Sequence, residues 1–565
     1  MPLRLPPKPK KGKSKQLHID YASPDTARAT APSDWQLDDW VQEGTRQEEQ
    51  GERYIIGAKA ARHCFNAITC YRLAANLDPS SFDARYNAAR ALQNLATEHL
   101  APPACLEALA QAIEGYREAL AVLSEGGGGT ARIDALFNSA QANVALYEML
   151  DEGVAAVEGA AERAMQPAAE ARSLFAQVEK LQRVEMDKIF GADGPEMDDG
   201  DDSTVDETAS EAGGSATEVQ AVETTIVTPQ LVLDTLLESI ALDVALYSSS
   251  DNPVEQAALR DSALSTFSRA SALRPLIPRS AAPAQPDDVD YELSLAQASI
   301  LTTCSPSPEE ATAFLQSALS SSPSPRVELL SAYADHLVDS LSLSQPLLSL
   351  LPVLEQALQI YQQAAALLSS RLSPPKHTPP HHLPSLLSAN LAAQAQVHLV
   401  ASTLSARDPS AAPSAPAHLQ QAHELLLSAL SAAKSGLALA VSASSPAGAL
   451  KPALALVRAP ASTEPRTDWR TLSAVRGALF ALVRARLRLE PSEEGWSGET
   501  AQVWALWRAV GLNRSGGEKG SEEEKRLRKV EVEWWVGEIE EDKVSEAMSA
   551  EDREREKQWW IGLPQ

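Results

Sequence analysis

The feature that most constrains this chain is a spaced set of small and aromatic residues that recurs along it. Ala67, Tyr71, Ala74 and Pro79 follow the spacing A-x3-Y-x2-A-x4-P. Positions i, i+4 and i+7 share one face of a helix. Two alanines on that face let a neighbouring helix approach closely, and the aromatic fills the space between the two. The proline ends the helix, because it lacks the donor for the hydrogen-bond ladder. The spacing returns at Ala112, Tyr116 and Ala119 and, with its proline, at Ala263, Phe267, Ala270 and Pro275. A further copy stands at Ala357, Tyr361 and Ala364. Leucine replaces the aromatic in Ala311/Leu315/Ala318 and Ala422/Leu426/Ala429. Alanine is so common here that the leucine form arises by chance about twice, whereas the aromatic form arises less than once. Four aromatic copies are therefore a signal.

Directly after Pro79 comes Ser80-Ser81-Phe82-Asp83-Ala84-Arg85-Tyr86-Asn87-Ala88-Ala89, and Asp134–Ala140 begins another such run. The two halves, in order and in register, resemble the second and first helices of the tetratricopeptide repeat (TPR). That resemblance implies an all-α, TPR-like α-solenoid of antiparallel helix pairs whose concave face holds peptides or helices. Its usual unit is about 34 residues, and this chain departs from it in its longer inter-helix segments, as at 94–106 and 366–385. In the first helix of the first repeat, the family's Trp-Leu-Gly places fall on Tyr54, Ile55 and Ala58. The lysine and arginine clamp that holds acidic C-termini in some members would fall on Asp134 and Asn138, and neither is basic.

Composition agrees with an all-helical chain. Hydrophobic residues make up 44% and aromatics only 5%, so the apolar total rests on helix formers such as Ala and Leu. We expect a basic, disordered tail over 1–35, a TPR-like block over 36–186 and an acidic disordered linker over 187–222. A second TPR-like block over 223–489 and charged, Trp-rich helices over 490–565 complete the order. Thr228-Pro229 marks the restart after the linker, as an N-cap followed by proline at the first helical position. The terminal tryptophans include Trp504 and Trp507, expected to cap the array, and the doublets Trp534-Trp535 and Trp559-Trp560. Those doublets either fold back as caps or dock on a partner. Arg470, Arg476, Arg484, Arg486 and Arg488 make 468–489 a basic amphipathic helix, expected to pack on the protein's own acidic body.

The formal charge is −27, and −24 remains when the basic first fifteen residues and the acidic stretch 193–211 are both set aside. Such a field repels nucleic acid and attracts basic partners. A partner-binding role is expected for Asn87 and Asn138, which share a first-helix position, and for the anionic arm Asp198, Asp199, Asp201 and Asp202. The resemblance extends to histone chaperones and ribosomal-protein escorts of the TPR class, which pair an acidic body with a basic client. An acidic escort for a client of the ribosomal-protein or histone class is the leading expectation. A neutral scaffold or adaptor, or an enzyme's regulatory subunit, are the alternatives. No catalytic role, cofactor or metal is expected. Phosphate loops, HExxH and GxSxG are missing, and His377, His381 and His382 lie among prolines in a connector. Cys64, Cys70, Cys105 and Cys304 form no CxxC pair. No signal-like apolar stretch follows the basic start, and no segment is apolar enough to span a bilayer, so a cytoplasmic or nuclear protein is expected. Residues 6–13 are compatible with an import signal.

Overall fold

The structure is a computed structural model. It describes residues 19–21, 23–54, 58–100, 104–123, 129–151, 159–190, 226–278, 288–305, 307–321, 326–343, 345–372, 383–436 and 469–489, and towards the C-terminus 529, 532–533, 535–540 and 542–561. The described residues contain helices and no strand. After a short capped helix, α1 (Pro24–Thr30), come α2 (Leu37–Glu52), α3 (Ala58–Leu77), α4 (Phe82–His99), α5 (Ala104–Val122), α6 (Gly129–Asp151) and α7 (Ala160–Phe190). They are followed by α8 (Pro229–Ser249), α9 (Pro253–Leu273), α10 (Asp288–Cys304), α11 (Pro308–Ser321), α12 (Val327–Asp339), α13 (Leu347–Leu372), α14 (Leu383–Arg407) and α15 (Ala415–Gly436). From α2 onward each helix packs on the next in sequence, the arrangement of an α-solenoid, while α1 packs on α3. The starts follow local chemistry. Ser81 accepts from Ala84 N, Thr228 from Leu231 N ahead of Pro229, and Asn252 from Val254 N ahead of Pro253.

The even-numbered helices are first members of pairs and the odd ones, from α3, are second members. Every expected small–aromatic set lies on a second helix. Ala67, Tyr71, Ala74, Ala112, Tyr116 and Ala119 are fully buried, as are Ala263, Ala270, Ala357 and Ala364, with Tyr361 nearly so. Phe267 is half-buried against the same core. The leucine versions behave alike, for Leu315 and Leu426 are fully buried. Pro79 sits in the turn after α3, where Asp78 Oδ1 accepts from Ser80 N at 2.9 Å, and Pro275 lies in the 3-10 turn that ends α9. One set escaped the sequence reading. Ala171, Phe175 and Val178 bury the same face of α7, with valine where the pattern demands a small residue.

The first helix of the first pair needs a correction. Tyr54 lies beyond the end of α2 and is exposed, and Ala58 already begins α3; Ile55 falls outside the described residues. Trp40 and Gly44 carry the packing instead. Trp40 is buried, and a Cβ built on Gly44 would lie 2.5 Å from the Tyr71 ring. The expectation assumed a short unit, whereas the helices here run longer. Tyr116 follows Tyr71 by 45 residues. Ala89 and Ala334 stand, like Gly44, 27 residues before their own tyrosine, and both are fully buried.

Ion pairs tie successive second helices together. Arg117 of α5 grips both carboxylate oxygens of Glu170 on α7 at 2.7 Å. Glu179, further along α7, takes Arg269 of α9 at 2.9 and 3.1 Å. The chain thus continues its packing across residues 191–225, with α7 lying directly on α8.

The arginine helix, Trp469–Leu489, packs on α14 and α15. Arg484 is buried and donates to Glu556, Asp542 and Ser545. Arg488 reaches Glu556 at 3.0 Å and Thr403 of α14 at 3.2 Å. The segment Asp542–Ile561 also receives Arg407 Nη2 on the Met548 carbonyl and sends Lys543 Nζ to the Leu341 carbonyl. It therefore runs across the C-terminal ends of α12, α14 and the arginine helix. Trp535 and Trp560 stack around Phe480 with centroids at 4.2 and 5.2 Å. These two tryptophans fold back as caps, Trp559 is half-buried, and Trp534, Trp504 and Trp507 lie outside the described residues. Arg484 and Arg488 thus pair with the protein's own acids, and the side chains of Arg470, Arg476 and Arg486 lie outside the described residues.

Two outcomes follow. Gly to Ala inside a helix ordinarily stabilises by about 0.5–1 kcal/mol. Gly44→Ala should instead destabilise by about 1–3 kcal/mol, because the new methyl meets the Tyr71 ring; urea unfolding beside Gly51→Ala, whose Cβ has ordinary room at 3.4 Å, separates the two signs. The second concerns α14 and α15, where His398 Nδ1 lies 3.0 Å from His418 Nδ1, with Glu355 of α13 acting on His418. Burial, and then the neighbouring ring, push His398 down to about 4. The folded state binds fewer protons than the unfolded one between pH 6.5 and about 4, so stability should fall as pH drops through that window. His398→Gln should flatten the fall in the urea midpoint measured from pH 7 to pH 5.

Candidate partner-binding face

The first helices present a line of polar side chains beside the buried tyrosines. Tyr71 spans from α3 to α2, and its hydroxyl donates to Glu48 Oε2 at 2.5 Å. Glu48 also takes Arg90 of α4 at 2.8 Å. Tyr116 repeats the geometry one pair later, donating to Gln93 Oε1 at 2.6 Å. Glu48 and Gln93 each stand four residues after the small residue of their helix, so the acceptors occupy one register position. Tyr361 donates to Asp335, one residue after Ala334, the place of Thr45 and Arg90. A hydroxyl held this way leaves no buried polar atom unpaired, which explains tyrosine where phenylalanine would pack as well.

Next along the line, Phe82 stacks on Tyr86 at 5.4 Å, and the Tyr86 hydroxyl accepts from Asn138 Nδ2 at 2.7 Å. Asn138 therefore bonds within the array, between α6 and α4. Asn87 is half-buried on α4. Asp198, Asp199, Asp201 and Asp202 lie outside the described residues, as do His377, His381 and His382.

Three acids stand out on these helices, of which only Asp134 entered the sequence reading, as a position of the absent clamp. Asp134, Asp335 and Asp339 are exposed, and desolvation by the surrounding protein nonetheless raises the pKa of each above the ordinary carboxylate value. At Asp335 the neighbouring Asp339 raises the pKa further, against the hydrogen bond from Tyr361. At Asp339, Lys543 and His336 oppose the rise without cancelling it. Asp234 on α8 is half-buried and raised by the same cause. A carboxylate in this state is short of compensating positive charge. For Asp335 the available signal in the sequence was an acid one residue after Ala334 and 26 residues before Tyr361; Asp134 and Asp339 carry no such signal.

Among the described residues no group of three or more His, Cys, Asp or Glu could hold a metal ion, and no helix is long and apolar enough to cross a membrane. Burial pushes the thiols of Cys70 and Cys105 up to about 12. No protein-family model matches the chain, and no curated protein matches it.

These carboxylates work against stability at neutral pH. Their folded pKa lies above the unfolded value, so the folded state binds more protons, and stability falls as pH rises from the ordinary carboxylate value of 3.8 through the raised one. Asp335→Asn/Asp339→Asn should therefore raise the melting temperature relative to the parent at pH 7, and by less at pH 4. Thermal unfolding at the two pH values tests this; an equal shift at both would show that desolvation of the charge is not the cause.

Proposed function

We propose that this chain is a non-catalytic, TPR-like protein that holds a basic protein segment along its first-helix face, in the manner of an assembly escort. The observation that carries this reading is the set of solvent-touching, under-compensated carboxylates Asp134, Asp335 and Asp339. A bound lysine or arginine supplies the missing positive charge, so the desolvation cost already present in the free protein is offset on binding. The acidic balance of −27 adds a long-range field that speeds the encounter. Asp198, Asp199, Asp201 and Asp202 extend this negative charge between α7 and α8 in sequence, and would screen the parts of a client that the groove does not cover. Ribosomal proteins and histones are the client class with enough positive charge to need such screening.

The experiment is a salt series. The full chain is mixed with a labelled Lys- and Arg-rich peptide of histone-tail composition, and affinity is read from 50 to 300 mM NaCl. Charge-driven binding should weaken at least tenfold over that range. Deleting 193–211 should weaken it further at low salt, and Asp335→Asn/Asp339→Asn should do the same. Affinity that persists unchanged at high salt would sink this reading and favour an apolar adaptor interface.

A further inference from the structure

Two clefts of the same construction lie one helix pair apart. The first, of about 380 Å³, runs between α5 and α7 over a floor made by α6. The second, of about 280 Å³, runs between α7 and α9 over α8. The floors match in spacing. Asn143, Leu146 and Leu150 line the first, and Leu236, Ser239 and Asp243 line the second, with the same intervals of three and four residues. Where the first floor carries two leucines, the second carries a serine and an aspartate.

Asp243 is 98% buried, since its exposure is 2%. Its Oδ1 accepts from Arg172 Nε at 2.8 Å, and Arg172 stands at the rim with 42% of its side chain exposed. A carboxylate is costly to bury, and the charge partner of this one is a half-exposed guanidinium at the rim. Replacing such a pair with packed apolar groups is often neutral or stabilising, and the sister cleft shows that this fold accepts leucine there. Beside Asp243 the cleft wall carries the half-buried Ser239 hydroxyl and those of the buried Thr235 and Thr266, Thr266 already accepting from Arg269 at 3.2 Å; Glu179 and Arg269 close the cleft as an ion pair, and the buried Phe175 and Leu236 supply an apolar strip. That combination suits a side chain with an aliphatic stem and a cationic head.

We infer that the cleft between α7 and α9 is an anchor pocket for one arginine or lysine side chain of the partner, whose head takes the place of Arg172 on Asp243. The stem lies along Phe175 and Leu236, and the hydroxyls accept the remaining donors of the head. Arg172 is then a placeholder that holds the carboxylate compensated until the partner arrives. This rests on the reading of the chain as a holder of basic segments, and it adds a single defined contact to a diffuse electrostatic one.

The test uses the full chain and a fluorescently labelled Arg-rich nonapeptide, with affinity read by anisotropy at 150 mM NaCl. Asp243→Asn should lose at least tenfold in affinity. Arg172→Ala should gain several-fold, because the competing guanidinium is gone; a residue that merely holds α7 against α8 would give loss or no change. Leu150→Ala, in the sister cleft, should leave affinity unaltered. Folding of each variant is checked by its helical circular dichroism, and Arg172→Ala decides the matter if Asp243→Asn unfolds. Wild-type binding with affinity unchanged in Asp243→Asn, or weakened or unchanged in Arg172→Ala, overturns the anchor and leaves the proposed function standing. Absence of wild-type binding even at 50 mM NaCl overturns both.

Discussion

A tyrosine ring can wedge between two helices only where the facing helix offers no bulk, and this solenoid is built around that restriction. Gly44 leaves room for the Tyr71 ring, and Gly115 meets Ala89 with 3.0 Å between an added Cβ and the alanine methyl. The close approach fixes the distance within each pair. The hydroxyl then fixes the rotation, because it must find an acceptor on the first helix at Glu48, Gln93 or Asp335. Ring and hydroxyl together place the next residues of the first helix on the inner face. Asp335, which takes the Tyr361 hydroxyl, is thus positioned by the same contact that holds its pair together.

Much of the helix order was legible because the constraint leaves a periodic trace. Alanines four and three residues either side of an aromatic have few explanations other than a tightly packed helix face, and each such set lies buried on a second helix. The first helices were harder to read. Their signature sits 27 residues upstream, not within the span of a short repeat, so Trp40 and Gly44 were overlooked in favour of Tyr54, Ile55 and Ala58. Phe175 was overlooked because Val178 replaces the small residue, a change that α7 tolerates against the apolar side chains around it. Asn138 shows a different limit. Its place on the first helix was visible, but whether its amide served a ligand or Tyr86 depended on a contact 52 residues away.

The acidic stretch falls between α7 and α8 without separating them. Arg172 pairs with Asp243, Gln182 donates to the Leu231 carbonyl, and Arg269 closes on Glu179 from the following helix. Lengthening a connector costs only a logarithmic loop-closure term, about 0.6 kcal/mol for each doubling. A few well-formed contacts across the junction therefore suffice to keep the array continuous. The insertion site is one where added charge is cheap for the fold, and that lets the body and the acidic stretch carry negative charge together.

The two ends of the charge distribution are handled in opposite ways. At the C-terminal cap, Arg484 and Arg488 bring the buried Glu556 and its neighbour Asp542 into a compensated cluster, with Ser545 taking another donor. Such a cluster contributes less to stability than an apolar core would, but it fixes one arrangement of the final helices. On the inner face the opposite holds: Asp134, Asp335 and Asp339 are crowded and incompletely compensated. The arginines pair elsewhere: with Glu170 and Glu179 along the second helices, with Glu48 on the first, and with Glu556 in the cap. Leaving these acids without an arginine costs the fold a little stability that a paired or neutral side chain would return.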